Sequence, residues 1–120
     1  MRRILLVEDD LFIRDIYKEI LKEEKYSVEI AIDGVDTLNK LREGNWDIVL
    51  LDVMMPKMSG IEILKKLGKV KLSLLAKHII LMTNTEESKV LDDIAGMYDD
   101  FILKSAITPG ELLVIIRKYL

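Results

Sequence analysis

The chain has 120 residues, of which half are hydrophobic and 32% are charged, and its net charge is −3. This composition fits one globular domain over residues 1–120 and argues against disorder and against nucleic-acid binding, which needs a basic surface. There is no cysteine, which excludes disulfides and thiolate metal sites. We expect a cytoplasmic domain without membrane contact, because no apolar run reaches about 18 residues and no signal peptide follows Arg2 and Arg3.

Short apolar runs alternate with stripes of helical period along the chain. The runs are continuous, as in strands that are buried on both faces of a sheet. The predicted strands cover residues 3–8, 28–31, 47–51, about 78–82 and about 100–103. The predicted helices cover about 11–24, 36–43, a segment starting at Ser59, about 86–96 and a segment starting at Thr108. Ser59 and Thr108 each begin a capping box, with Glu62 and Glu111 three residues later.

Five strands alternating with five helices predict an α/β fold, a parallel sheet with helices on both faces. In such sheets ligands bind beyond the carboxyl ends of the strands. Four predicted strands end in polar side chains, namely Glu8 to Asp10, Asp52, Thr83 and Lys104. If the strands are parallel, these groups share one edge of the sheet. Carboxylates, a hydroxyl and an ammonium together suit a divalent cation and a phosphoryl group.

The order and spacing of these residues are similar to those of a known family. Glu8 and Asp9, the segment from Asp52 through Met55-Pro56 to Gly60, then Thr83 and Lys104 resemble the receiver domain of bacterial two-component response regulators, including the chemotaxis receivers. The resemblance covers the whole chain. It implies a flavodoxin-like, doubly wound sheet of five parallel strands in the order 2-1-3-4-5, with five helices.

The resemblance also implies a phosphorylation site with a metal ion. Asp52 would be the phosphoacceptor, since a carboxylate can attack phosphorus and form an acyl phosphate. Asp9 would bind Mg²⁺ directly and Glu8 through water, and Asp52 with the backbone carbonyl of Met54 would complete the protein ligands. Mg²⁺ prefers oxygen ligands and would offset the charge of about −1.5 to −2 that a phosphoryl group adds.

Three further residues have roles implied by the resemblance. Lys104 would pair with Asp52 and then with the phosphoryl oxygens, reaching over two strands, roughly 10 Å at about 4.8 Å per strand. Thr83 would donate a hydrogen bond to a phosphoryl oxygen. Phe101 occupies the position of a switch aromatic that rotates when Thr83 moves; ordinary packing is the alternative, since aromatics are common in strands. For Asp10, a helix cap is the better interpretation.

Two residues depart from the family pattern. Ser105 stands where the family usually has a proline in a cis bond, and a cis bond before another residue costs about 3–4 kcal/mol. We therefore predict a trans Lys104–Ser105 bond and an altered loop. Asn84 replaces a small residue after Thr83, and we predict that it narrows access to Asp52 and changes the lifetime of the phosphoryl group.

Two other features fall outside the motif. His78, the only histidine, begins the fourth predicted strand and should lie at the opposite end of the sheet from the pocket. Residues 65–77 contain five lysines and no acid. A solvated face is the simpler interpretation of this segment, and a docking surface is the alternative.

The sequence thus predicts a receiver, a monomer or weak dimer, that takes a phosphoryl group from a histidine kinase or histidine phosphotransfer protein onto Asp52. Modification would change a face that binds an unknown downstream protein or output domain. The domain would catalyse only its own modification, so we do not class it as an enzyme. An aspartyl-phosphate phosphatase is disfavoured by Met54, where it would carry a second acid, and a flavin module by the acids after strand one. A phosphorylation-independent interaction domain stays an alternative.

Overall fold

The structure is a computed structural model that describes residues 2–55, 58–84, 92, 94–104 and 106–120. Its strands are β1 Arg3–Val7, β2 Ser27–Ala31, β3 Trp46–Asp52, β4 Ala76–Thr83 and β5 Asp100–Leu103. Its described helices are α1 Leu11–Glu23, α2 Gly34–Leu41, α3 Gly60–Leu67, α4 Lys69–Leu75 and α5 Pro109–Lys118. None of these helices is long and apolar enough to cross a membrane.

All five strands form one parallel sheet in the order β2-β1-β3-β4-β5, which confirms the predicted topology. The register brings the ends of neighbouring strands to the same height: Val7 pairs with Leu51, Asp52 with Met82, and Thr83 with Leu103. The residues that follow these strands therefore meet along one edge of the sheet.

Both faces of the sheet are buried. Alternate residues of each strand point to opposite faces, and helices cover both sets of side chains. One face carries Leu5, Val49 and Leu81 and packs against α2, α3 and α4. The other carries Leu6, Leu50 and further apolar residues and packs against α1 and α5. This two-sided burial explains why the strand sequences are continuously apolar.

Side-chain caps fix the starts of four helices. Asp10 accepts hydrogen bonds from the backbone amides of Phe12 and Ile13 at the start of α1, as the cap interpretation required. Ser59 and Thr108 cap α3 and α5 as predicted. Asp33 caps α2 through the amide of Asp36, so this helix begins two residues before its predicted start.

The helix α4 was not predicted. Gly68, with φ +78°, ends α3, and α4 begins at the next residue. Seven residues with one buried position, Leu72, give too short an apolar stripe to identify a helix by its period. The predicted helix at 86–96 falls mostly on residues outside those described, and the predicted trans Lys104–Ser105 bond also lies outside them.

Candidate functional site

Three of the predicted site residues meet where β1, β3 and β5 end. The ammonium of Lys104 donates to Oε1 of Glu8 at 2.9 Å and to Oδ2 of Asp52 at 3.0 Å. Its side chain reaches over β4, the strand between β3 and β5. The expected Lys104–Asp52 contact is thus present, and sequence reasoning missed the second partner, Glu8.

The acids form a compact group of oxygen donors. One carboxylate oxygen each of Glu8, Asp9 and Asp52 lies within 4.8 Å of the others. Glu8 and Asp52 are buried, whereas Asp9 is exposed and leaves the group open to solvent. Hard oxygen donors that are close together, with one side open to water, fit Mg²⁺, which keeps several of its waters when bound to protein.

The pocket has more negative than positive charge. Burial raises the pKa of Glu8 to about 7, helped by the hydrogen bond and the charge of Asp52 and opposed by Lys104. Burial alone would lower the pKa of Lys104, but its hydrogen bonds and charge interactions with Glu8 and Asp52 outweigh this and raise the pKa. One ammonium therefore serves two buried carboxyl groups, and a further cation would relieve the imbalance.

The start of α3 packs tightly on the backbone of Asp52. The amide of Met54 donates to Oδ1 of Asp52 at 3.0 Å and so orients the carboxylate. A Cβ atom on Gly60 would lie 2.5 Å from the carbonyl oxygen of Asp52 and 3.1 Å from Cα of Val53. The motif glycine is therefore needed for this close approach of two backbone segments, a role that the sequence motif did not reveal.

Thr83 and Phe101 lie on two neighbouring strands, β4 and β5. Thr83 ends β4 and is buried, and its carbonyl accepts from the amide of Lys104 at 2.8 Å. Phe101 pairs with Leu81, two residues before Thr83, so both side chains are on the same face of the sheet. The side chain of Phe101 is 37% exposed. Asn84 follows Thr83 and is exposed.

His78 lies away from this pocket, as expected. It is the third residue of β4, near the amino end of the strand. Its ring packs against Tyr119 with the ring centres 5.1 Å apart, and its Nδ1 lies 3.5 Å from Oδ2 of Asp99. The histidine is a packing residue at the opposite end of the sheet.

The chain is similar in sequence to known regulators. The family model for the response regulator receiver domain matches residues 4–117. The chain is 38% identical over 118 residues to the transcriptional regulatory protein DltR of Streptococcus agalactiae, covering 96% of this chain and 50% of that protein. It is 32% identical over 119 residues to ResD of Bacillus subtilis, covering 98% and 48%. The chain thus spans about half the length of these curated relatives.

Solved structures of response regulators are similar to this chain in fold and in sequence. The response regulator TrrA of Thermotoga maritima, in complex with Mg²⁺-BeF, has 36% sequence identity and a TM-score of 0.85 over all of both chains. The chemotaxis protein CheY4 of Vibrio cholerae has 28% identity and a TM-score of 0.85, covering 100% of this chain and 99% of that one. With the family match, the strand order and the acidic pocket, the chain belongs to the receiver domains of two-component response regulators.

Proposed function

We propose that Asp52 accepts a phosphoryl group from a phosphohistidine of a histidine kinase or a histidine phosphotransfer protein. The observation that carries the proposal is the meeting of charges at this one buried carboxylate. Lys104 lies 3.0 Å from it, and oxygens of Glu8 and Asp9 lie within 4.8 Å of its own. Groups whose pKa is shifted by burial and by a charged partner, as for Glu8 and Lys104, are typical of functional sites.

The transfer exchanges one bond to phosphorus for another. A carboxylate oxygen of Asp52 forms a bond to the phosphorus, while the bond between phosphorus and the histidine nitrogen of the donor breaks and its electron pair stays on that nitrogen. Catalysis of such a step is mostly positioning and stabilisation of charge. Here the amide of Met54 fixes Oδ1 of Asp52, which leaves Oδ2, beside Lys104, as the oxygen we expect to attack.

A magnesium ion would be held by Asp9, Glu8, Asp52 and the backbone carbonyl of Met54. When bound, it supplies positive charge that stabilises the phosphoryl oxygens. Lys104 adds a second positive charge from the buried side of the pocket, where its side chain is only 7% exposed. The exposed Asp9 leaves the other side open for the donor.

The response to phosphorylation would pass through β4 and β5. The hydroxyl of Thr83 would donate to a phosphoryl oxygen, and the half-exposed ring of Phe101, on the same face of the sheet, would rotate inward. A small local change of charge can bias a two-state element in this way. The surface around β5 would then bind a downstream protein or output domain, and the domain would act on no substrate besides itself.

The test is incubation with phosphoramidate, a small phosphodonor, followed by intact-mass measurement. We expect the mass of one phosphoryl group to be added with Mg²⁺ present, and none with EDTA. Asp52→Ala should stay unmodified, and the matched control Asp15→Ala, which removes an exposed acid of α1, should be modified like the parent. A phosphoryl group on the Asp52→Ala protein would contradict the assignment, and an unmodified parent would favour the phosphorylation-independent interaction domain.

A further inference from the structure

The helix α4 has one buried and two exposed large apolar residues. Leu72 is buried against the sheet, but Val70 and Leu74 are each 78% exposed. Single exposed apolar residues are common on proteins, whereas adjacent ones on one ridge indicate an interaction site more often. Val70 and Leu74 are four residues apart and so lie one above the other on the helix.

Helical geometry shows what surrounds these two residues. At 3.6 residues per turn, Leu74 is rotated by about 40° from Val70, and Leu72 by about 200°, so the pair faces away from the core. Lys69 and Lys71 lie about 100° to either side of Val70, and both are exposed. The outermost ridge of α4 is therefore apolar, with a lysine on each flank, and we call Lys69, Val70, Lys71 and Leu74 the α4 ridge.

The charge around the α4 ridge is strongly positive. Residues 65–77 contain five lysines and no acid, so this segment has a charge of +5 in a chain of net charge −3, and the rest of the chain has −8. Lys77 pairs with Asp47 at 3.3 Å. Among the described residues, no carboxylate lies within 4.0 Å of the ammonium of Lys69 or Lys71, and both lysines are exposed. The ammonium of Lys69 lies over Gly96, 3.4 Å from the position that a Cβ atom on that glycine would take.

We propose that the α4 ridge binds an acidic amphipathic helix of a partner protein. Apolar side chains of that helix would cover Val70 and Leu74, and Asp or Glu residues beside them would pair with Lys69 and Lys71. Such a helix matches both features of the surface, the apolar crest and the charge of its flanks, as in other modes of helix recognition.

Other occupants match the surface less well. A helix that lies on a membrane buries a long apolar face, but α4 has seven residues, a length of about 10 Å, and two exposed apolar side chains. A nucleic acid would use the lysines but would leave the apolar crest uncovered. A partner helix is the occupant that uses all four residues.

The α4 ridge is remote from the phosphorylation pocket. α4 leads directly into the first residue of β4, Ala76, whereas the pocket lies beyond the last, Thr83. Eight residues of strand span roughly 23 Å. A partner on the α4 ridge would leave Asp52 accessible, so the two proposals can fail separately.

The test is a titration of the ¹⁵N-labelled chain, followed by NMR, with two synthetic helical peptides that share the same leucines. One peptide carries glutamates beside the leucines and the other lysines. We expect the glutamate peptide to shift the amide signals of Lys69–Leu75 saturably, with at least tenfold weaker binding to Leu74→Ser. The double reversal Lys69→Glu with Lys71→Glu should bind the lysine peptide instead.

The matched control is Lys18→Glu with Lys22→Glu in α1. It makes the same change in net charge on the opposite face of the sheet, and binding of the glutamate peptide should not change. Equal binding to Leu74→Ser, shifts centred outside α4, or tighter binding to vesicles of phosphatidylglycerol and phosphatidylcholine than to the peptide would overturn the proposal. Dimer formation through the same amides would also overturn it.

Discussion

Replacement of Lys104 by methionine tests how the pocket is held together. The methionine keeps most of the volume but removes the ammonium that contacts Glu8 and Asp52 at 2.9 and 3.0 Å. The side chains of the two acids are 0% and 1% exposed, so water would replace only part of the lost hydrogen bonding. Breaking a buried ion pair by removing one partner typically costs 3–5 kcal/mol.

The expected loss is at the lower end of that range, about 3 kcal/mol in the free energy of unfolding at pH 7. Glu8 can take up a proton, since its pKa is already raised to about 7, and this limits the repulsion between the acids. Domains of this size have about 5–15 kcal/mol of stability, so we expect the variant to fold. Urea unfolding measures the loss.

Two further variants make this measurement specific to the pocket. Adding Glu8→Gln to Lys104→Met should restore more than half of the lost stability, because glutamine is neutral without the proton uptake that Glu8 would need beside Asp52. Lys118→Met, which removes an exposed lysine 3.8 Å from Asp100, should cost less than about 0.5 kcal/mol. A loss for Lys104→Met no larger than that for Lys118→Met would refute the view that the ammonium holds the acids.

Three further predictions concern the same pocket. The folded-state pKa of Glu8, about 7, lies above its ordinary 4.5, so the folded state holds a proton that the unfolded chain releases. Stability should therefore fall by on the order of 3 kcal/mol as the pH rises from 4.5 to 7, and urea unfolding of Glu8→Gln should show a smaller fall. Gly60→Ala should cost about 1–3 kcal/mol in the same assay, because its Cβ would meet the Asp52 carbonyl; an unchanged midpoint would argue against this packing. Mg²⁺ at ten times its dissociation constant should stabilise the parent by about 1.4 kcal/mol, measured as a rise in Tm, and Asp9→Asn should reduce the rise at equal concentration.

The sequence was sufficient for the five strands and for the starts of three helices, α1, α3 and α5. Runs such as Ile4 to Val7 are apolar at every position because both faces of the sheet are covered, and caps such as Asp10 and Thr108 mark helices through local hydrogen bonds. These signals are local, so they can be identified without knowledge of the fold. The helix α4 has no such signal: its first flanking residue is Gly68, which makes no side-chain cap.

The sequence predicted which residues meet in the pocket and one contact of Lys104, with Asp52, but not its second contact, with Glu8. Parallel strands that end at one height bring Glu8, Asp52 and Lys104 together, which follows from the pattern of polar residues after apolar runs. Which acid the ammonium contacts depends on the side-chain path over β4, and here it contacts both. The role of Gly60 depends on a backbone distance across the loop, which no local pattern contains.

The sharing of Lys104 by Glu8 and Asp52 has a consequence for the proposed phosphorylation of Asp52. Because the pocket lacks one positive charge, a cation and an added phosphoryl group should favour each other, and thermodynamic reciprocity makes the effect equal in both directions. The factor by which phosphorylation raises the affinity for Mg²⁺ must equal the factor by which bound Mg²⁺ raises the equilibrium constant for formation of the acyl phosphate. The concentrations of free Mg²⁺ and of the phosphodonor would then together set the fraction of the domain that is phosphorylated.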